Sequence, residues 1–432
     1  MSRAPLADQP PSFRVDEAFA REMDEKDPLR SFADRFHTPR GPDGQPAIYF
    51  CGNSLGLMPK SARQAVEREL EDWERLGVDG HFSGRSPWYR YHEQFRESGA
   101  RLVGAVPGEV VMMNGLTVNL HLMMATFYRP TRERYKIVMD WPAFPSDLYA
   151  ARTQLIHHGC EPDDGLVLAK PRSGEHCIHP GDIESILEDH GDVVALVLLS
   201  GVNYFTGQLY DISAIAASAR REGCAIGVDL AHAVGNVPLA LHDWQVDFAV
   251  WCSYKYLNAG PGALAGCFVH ERHAKNVKLS RLGGWWGTDP ATRFRMHQEP
   301  HFVPVAGADA WQVSNPPILS AAPLRASLDI FDEAGMTALR NKSVLLTGYM
   351  LYLIDELGSK GYEVITPRDP SARGCQLSIL AHDNPRDLFK RLESAGVKGD
   401  FREPNVIRVA PAPLYNSFHE VWRFANILVC GD

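Results

Sequence analysis

Two rhythms of apolar positions run through the middle of the chain. Between about residues 110 and 270, short unbroken apolar runs alternate with stretches in which apolar residues recur every three or four positions. The runs cover 135–139, 193–199, 224–228, 248–252 and 264–269. Runs of this length predict strands buried on both faces. Ile212, Ile215, Ala216 and Ala219 share one face of a helix predicted over 212–221. Strands alternating with amphipathic helices predict an α/β fold built on a large, mostly parallel sheet. In such sheets ligands lie beyond the carboxyl ends of the strands, so the residue after each run is a candidate for chemistry.

The flanks read differently. Residues 1–47 are polar and rich in Pro, Gly and charge, which predicts short helices in an irregular lead-in. A short strand is expected over 48–51, then a turn through Gly52, Asn53, Ser54, Leu55 and Gly56. From Pro59 a long helical pattern puts Ala62, Val66, Leu70 and Trp73 on one face. The segment 275–320, rich in Gly, Trp, Pro and Arg, reads as long loops, and 321–358 as helix. Strands over 376–380 and 406–409 with a helix over 387–394 predict a smaller α+β unit. The expected division is a large domain over 48–320 and a small one formed by 1–47 with 321–432.

Composition narrows the function classes. The 432 residues are 45% hydrophobic and 22% charged, ordinary for a globular protein, and the net charge of −9 argues against nucleic acid or an anionic membrane as partner. The longest pure apolar run, 193–199, is too short to cross a bilayer, and the N-terminus lacks a signal-peptide core. A cytoplasmic location is the default expectation. Eight cysteines (51, 160, 177, 224, 252, 267, 375 and 430) form no Cys-x-x-Cys pair, so buried reduced thiols are expected and no metal site. His157 and His158, if on a strand, point to opposite faces.

The chemistry gathers at strand ends. Asp229 follows the third run, where a carboxylate either caps the next segment or pairs with a protonated ring nitrogen. Lys255 follows the fourth, where it either snorkels to the surface or, desolvated, forms a Schiff base. An Asp and a Lys on adjacent strands of an α/β sheet form the arrangement of fold-type I pyridoxal-phosphate (PLP) enzymes. The Gly-rich segment 258–262 allows a sharp turn after the lysine. Leu116 and Thr117 open a helical run, and Thr117 is either a plain N-cap or part of a phosphate cradle. Phe144, between Pro142 and Pro145, is either a packed loop aromatic or a ring that stacks on a cofactor.

Longer strings add a resemblance. Tyr49-Phe50-Cys51-Gly52-Asn53-Ser54-Leu55-Gly56, Phe144-Pro145-Ser146-Asp147, Asp229-Leu230-Ala231-His232-Ala233-Val234-Gly235-Asn236, Trp251-Cys252-Ser253-Tyr254-Lys255-Tyr256-Leu257-Asn258, Ser314-Asn315-Pro316-Pro317 and Ile407-Arg408-Val409-Ala410-Pro411 resemble the kynureninase family, from about residue 48 to 420. The resemblance implies a PLP-dependent hydrolase acting on the carbon–carbon bond of L-kynurenine to give anthranilate and L-alanine, with 3-hydroxykynurenine treated likewise. It implies a place in tryptophan catabolism or NAD biosynthesis. It assigns Lys255 to the Schiff base and Asp229 to the ring nitrogen. Leu116, Thr117, Phe144, Pro145, Ser146, Asp147, Ser200, His232 and Tyr254 are to line the cofactor, and Tyr254 is also a candidate proton relay. Trp285 and Asn315 are to reach it from the partner of a homodimer with shared sites, the register at Trp285-Trp286 being open by one residue. For the substrate, Arg408 is to take the carboxylate. His81, Asn53, Ser54, Ser314 and Asn315 are to shape the aryl-ketone end.

Rival readings keep the fold and change the chemistry. A cysteine desulfurase needs a mobile nucleophilic cysteine, for which Cys375 is the candidate. An aminotransferase needs no such residue. A non-enzymatic relative would have no reason to keep Lys255, Asp229 and Arg408 together.

Overall fold

In the computed structural model, residues 12–276, 278–358 and 361–429 are described, so Cys430 and the first eleven residues lie outside. Seven strands form the main sheet, in the order Val110–Met112, Gly266–Val269, Phe248–Trp251, Ala225–Asp229, Val194–Ser200, Lys136–Asp140, Leu166–Ala169. Gly266–Val269 runs antiparallel to both neighbours, and the remaining pairings are parallel. The apolar runs therefore became strands because both faces are covered. Ala249 and Trp251 pack into one buried cluster, and Phe248 and Val250 into the one on the opposite face, as the two-residue period of a strand requires. Gly227 admits the Phe248 ring: a Cβ there would stand 2.0 Å from it. The register sets Ser200 beside Asp229 at the carboxyl ends of adjacent strands.

A second, antiparallel sheet has the order Tyr362–Val364, Leu377–Ala381, Val406–Val409, Asp400–Arg402. The helices Met336–Leu357 and Phe418–Val429 cover it, and its core includes Phe19, Ile48 and Phe50. The segment expected as a strand over 48–51 is shorter, Ile48–Tyr49, and pairs with Val397–Lys398, so it belongs to this second core. Cys51 bridges to Ala410. From there the Gly52–Gly56 turn crosses to the main sheet, where the Gly56 amide donates to the Tyr254 carbonyl at 2.8 Å. A Cβ on Gly56 would lie 2.3 Å from the Lys255 carbonyl oxygen, so only glycine permits this approach.

Several expectations need correction. The helix near Pro59 starts at Ala62, and its apolar face is not the inner one: Leu70 and Trp73 are 43% and 59% exposed, while Glu69 and Asp72 are buried. Glu69 accepts from Trp88 Nε1 at 2.8 Å and Tyr91 Oη at 3.0 Å, and Asp72 from the Arg85 amide at 3.0 Å. The polar face thus turned inward because the following loop brings donors to it. The helix expected over 321–358 is two, Ile318–Ala334 and Met336–Leu357, broken at Gly335 with φ of +73°. The first packs in the main-sheet core. His157 and His158 close the helix Pro145–His157 and are not strand neighbours. The seven described cysteines are free, but Cys51, Cys160 and Cys177 are only half-buried.

Candidate active site

Strand ends, two helix starts and one loop line a small cavity of about 60 Å³. Its wall is formed by Leu116, Thr117, Phe144, Asp147, Ser200, Val202, Tyr204, Asp229, Ala231, His232, Tyr254 and Lys255. The sequence reading thus converges in space, and Val202, Tyr204 and Ala231 are added to it.

Lys255 is buried rather than snorkelling, and its Nζ lies 3.0 Å from His232 Nε2 and 5.6 Å above the Phe144 ring centroid. Burial, then the Lys255, Arg408 and Arg402 charges, push His232 well below the usual histidine range. His232 is therefore the neutral partner, with Nδ1 left without a hydrogen bond. Asp229 accepts the Ala231 amide at 2.6 Å through Oδ1. Asp147 faces it from the first turn of the helix Pro145–His157. Burial, then the Asp229 charge, push Asp147 well above the usual carboxyl range, because two carboxylates in one dry site resist joint ionisation. Its Oδ1 has no partner. Such a pair suits a ring cation placed between the carboxyls and the lysine.

An anion fits the other end. The helices Leu116–Phe127 and Pro145–His157 both start at the cavity without a side-chain cap. The first leaves backbone N–H groups of its opening turn free, whereas in the second Pro145 has no N–H and the Asp147 amide donates to the Phe144 carbonyl at 2.9 Å, so Ser146 supplies the free one. Thr117 lies inside its helix and is no N-cap, and its hydroxyl is 3.1 Å from that of Ser146. Phe144 is 37% exposed, with its edge-to-face partner Tyr204 at 5.4 Å, so a ring face remains open toward the cavity. Ser200 is fixed by a carboxylate the sequence reading passed over: Asp140 takes the Ser200 amide at 2.9 Å, the Ser200 hydroxyl at 2.6 Å and Asn203 Nδ2 at 2.9 Å. The strand-end rule that found Asp229 and Lys255 applies equally to Asp140.

The residues expected at the substrate end are spread wider. Arg408 is 1% exposed and stands behind Tyr204, not in the cavity wall. Asn53 is buried and donates to Gln376 Oε1 at 3.0 Å, and Ser54 lies half-buried beside it in the same turn. His81, Trp285, Ser314 and Asn315 do not line the cavity of their own chain. His81 packs edge-on against Trp88 at 5.5 Å, and Ser314 donates to Asn315 Oδ1 at 3.2 Å on an exposed loop. Of the tryptophan pair, Trp286 is buried under Arg293, while Trp285 remains half-exposed. Trp285 is thus the one able to reach beyond its own loop. Tyr254 lines the cavity, and burial raises it above the usual tyrosine range, which keeps its proton in place.

Known proteins match on both sequence and shape. The family described as Kynureninase C-terminal domain matches residues 339–428. Proteins named kynureninase are similar over nearly the full chain: one from Myxococcus xanthus at 55% identity, covering 96% of this chain and 97% of its own. Another, from Koribacter versatilis, is 52% identical with 97% and 99% covered. One from Nematostella vectensis is 48% identical, covering 96% and 93%. Among solved structures, an apo cysteine desulfurase from Thermococcus onnurineus overlaps with a TM-score of 0.71 at 18% identity, covering 89% of this chain and 95% of that one. The cystine C-S lyase C-DES, solved with glycine covalently linked to its PLP cofactor, overlaps at 0.73 and 17% identity, covering 88% and 96%. At these identities the structures speak to the fold, which is that of the fold-type I PLP enzymes.

Proposed function

This chain belongs to the kynureninase family, and we propose that the cavity around Lys255 is where it performs the family reaction, hydrolytic cleavage of the Cβ–Cγ bond of L-kynurenine to anthranilate and L-alanine, with 3-hydroxykynurenine as the ring-hydroxylated alternative. The observation that carries the reading is Lys255 buried against a neutral His232, opposite the buried Asp229–Asp147 pair.

The cofactor we infer is PLP. The open face of Phe144 and the uncapped helix starts beside Thr117 and Ser146 support it, as do the carboxyls that need a cation. When bound, PLP supplies an aldehyde that captures an amine and a ring that takes up the electrons of an adjacent carbanion. Asp229 holds a proton at the ring nitrogen, and Asp147 supports it. Phe144 and His232 would hold the ring, and Leu116, Thr117, Pro145 and Ser146 would hold the phosphate. Lys255 would hold the cofactor aldehyde and would be the base for the α-proton of the substrate. Tyr254 relays a proton during hydration of the side-chain ketone and protonation of the product. Arg408 binds the α-carboxylate. Asn53, Ser54, His81, Ser314 and Asn315 shape the aryl end.

The wider reading is a cytoplasmic homodimer working in tryptophan catabolism or NAD biosynthesis. No described helix is long and apolar enough to cross a membrane, which agrees with this. Trp285 and Asn315, outside their own cavity, support a site completed by a partner. The desulfurase alternative is disfavoured at one residue: Cys375 is fully buried and its thiol is pushed up to about 12, chiefly by burial, unlike a mobile nucleophile.

The test is direct. Purified protein supplied with PLP and L-kynurenine is expected to release anthranilate, read by fluorescence, and L-alanine in equal amounts. Lys255→Ala is expected to lose at least about a thousandfold in kcat together with the near-ultraviolet and visible absorption of the bound cofactor. A wild-type protein that binds PLP yet makes no anthranilate would sink this reading.

A further inference from the structure

Arg408 is already occupied. In the second sheet Asp400 and Arg408 are direct cross-strand partners, so their side chains share a face. Arg408 Nε donates to Asp400 Oδ1 at 3.0 Å, and Nη2 lies 2.8 Å from the same oxygen. Nη1 donates to the Tyr204 carbonyl at 2.6 Å. A guanidinium has five N–H groups, with Nε and Nη2 forming one edge and the two terminal nitrogens another. The side edge is thus committed to Asp400 and one Nη1 hydrogen to Tyr204, which leaves one N–H on each terminal nitrogen.

The other Asp400 oxygen, Oδ2, accepts from Arg402 Nη2 at 3.1 Å. Asp400 therefore sits between two guanidiniums, and both lie over the Tyr204 ring, at 5.8 Å for Arg408 and 5.9 Å for Arg402. Two arginines and one aspartate leave a single net positive charge beside the cavity wall, which matches one carboxylate. Tyr204 joins this group to the cavity, since it lines the wall and meets Phe144 edge-on.

We propose that Asp400 is a positioning residue for substrate recognition: with the Tyr204 carbonyl it locks Arg408 so that only the remaining N–H groups of its two terminal nitrogens are left for the α-carboxylate of the amino-acid substrate. The inference rests on the kynurenine-cleaving reading. Preset orientation lowers the cost of ordering the arginine when substrate binds, so the effect falls on binding of carboxylate-bearing molecules. Arg402 reaches both Asp400 oxygens, with Nη2 3.1 Å from Oδ2 and Nε 2.8 Å from Oδ1, and so holds that carboxylate in place beside Arg408.

The test uses the PLP-loaded enzyme and two ligands differing only in the carboxylate, L-kynurenine and kynuramine. KM and kcat are measured for L-kynurenine by anthranilate release, and kynuramine is measured as a competitive inhibitor. Asp400→Asn keeps the shape and removes the charge. It is expected to raise KM roughly tenfold or more, with kcat within about threefold and the kynuramine inhibition constant within about twofold. Asp400→Glu, which keeps the charge, is expected to recover part of the KM loss. Parallel changes for both ligands, or an unchanged KM, would overturn the proposal while leaving the activity intact. A wild-type enzyme that releases no anthranilate overturns both.

Discussion

Asp147 offers a test of the proposed cofactor at a single residue. Its carboxyl holds a proton to higher pH in the folded protein than in the unfolded chain, because it is buried against Asp229. Above about pH 4 the unfolded chain releases that proton first, so the folded state binds more protons and stability falls as pH rises through the window up to the folded value. Cofactor-free protein is therefore expected to lose thermal stability on this account as pH rises above about 4, and Asp147→Asn to flatten the slope, as thermal unfolding at rising pH will show. Added PLP is expected to restore stability in the wild type more at pH 8 than at pH 5, since a ring cation neutralises the pair. Identical slopes in both proteins would remove the like-charge account. At this scale the sequence was legible where a residue stands at a strand end or inside a long string, as with Lys255 and Asp229. Asp140 obeys the same rule and was passed over because it lay in no such string. Tyr204 and Asp400 gave no local signal: their roles come from a cross-strand register and a loop carbonyl, both fixed only by tertiary structure.

At the scale of elements, the helix Ala62–Leu76 is the most informative. Its periodicity is real, but it marked the wrong side as inner. Glu69 is buried where Trp88 and Tyr91 bring donors to it, so its carboxyl is hydrogen-bonded at both oxygens. Glu69→Leu leaves the Tyr91 hydroxyl and the Trp88 indole without their acceptor. A loss of about 2–3 kcal/mol is expected in denaturant unfolding, against less than about 0.5 kcal/mol for Leu70→Ser on the exposed face of the isolated chain. Equal losses would mean that the apolar stripe is the inner face after all. Elsewhere the pattern served well: the five apolar runs are all strands, and the helix expected over 212–221 is found there. The strands Val110–Met112, Leu166–Ala169, Tyr362–Val364 and Asp400–Arg402 gave no separate signal. Three or four residues are too few for periodicity to separate strand from loop.

At the scale of the molecule, the cavity of one chain brings together most of the groups proposed for the cofactor but few of those proposed for the substrate. Trp285 and Asn315 sit in the loop-rich segment after Gly266–Val269, outside their own cavity, and the family resemblance assigns them to the site of a partner. If that assignment is right, no single chain is complete, and complementation between two defective chains follows. Lys255→Ala leaves its chain able to donate Trp285 and Asn315. The double variant Trp285→Ala/Asn315→Ala leaves its chain able to supply Lys255. Random pairing of the two makes heterodimers about half of all dimers, and each carries one intact and one doubly defective site, so about a quarter of wild-type activity is expected after co-expression. Each variant alone is expected to stay near background. If Trp285 and Asn315 instead serve the cavity of their own chain, every heterodimeric site lacks a necessary group and mixing restores nothing. The outcome thus separates a shared site from two self-contained ones, and it assigns Trp285 and Asn315 as a pair to one chain's cavity or the other's.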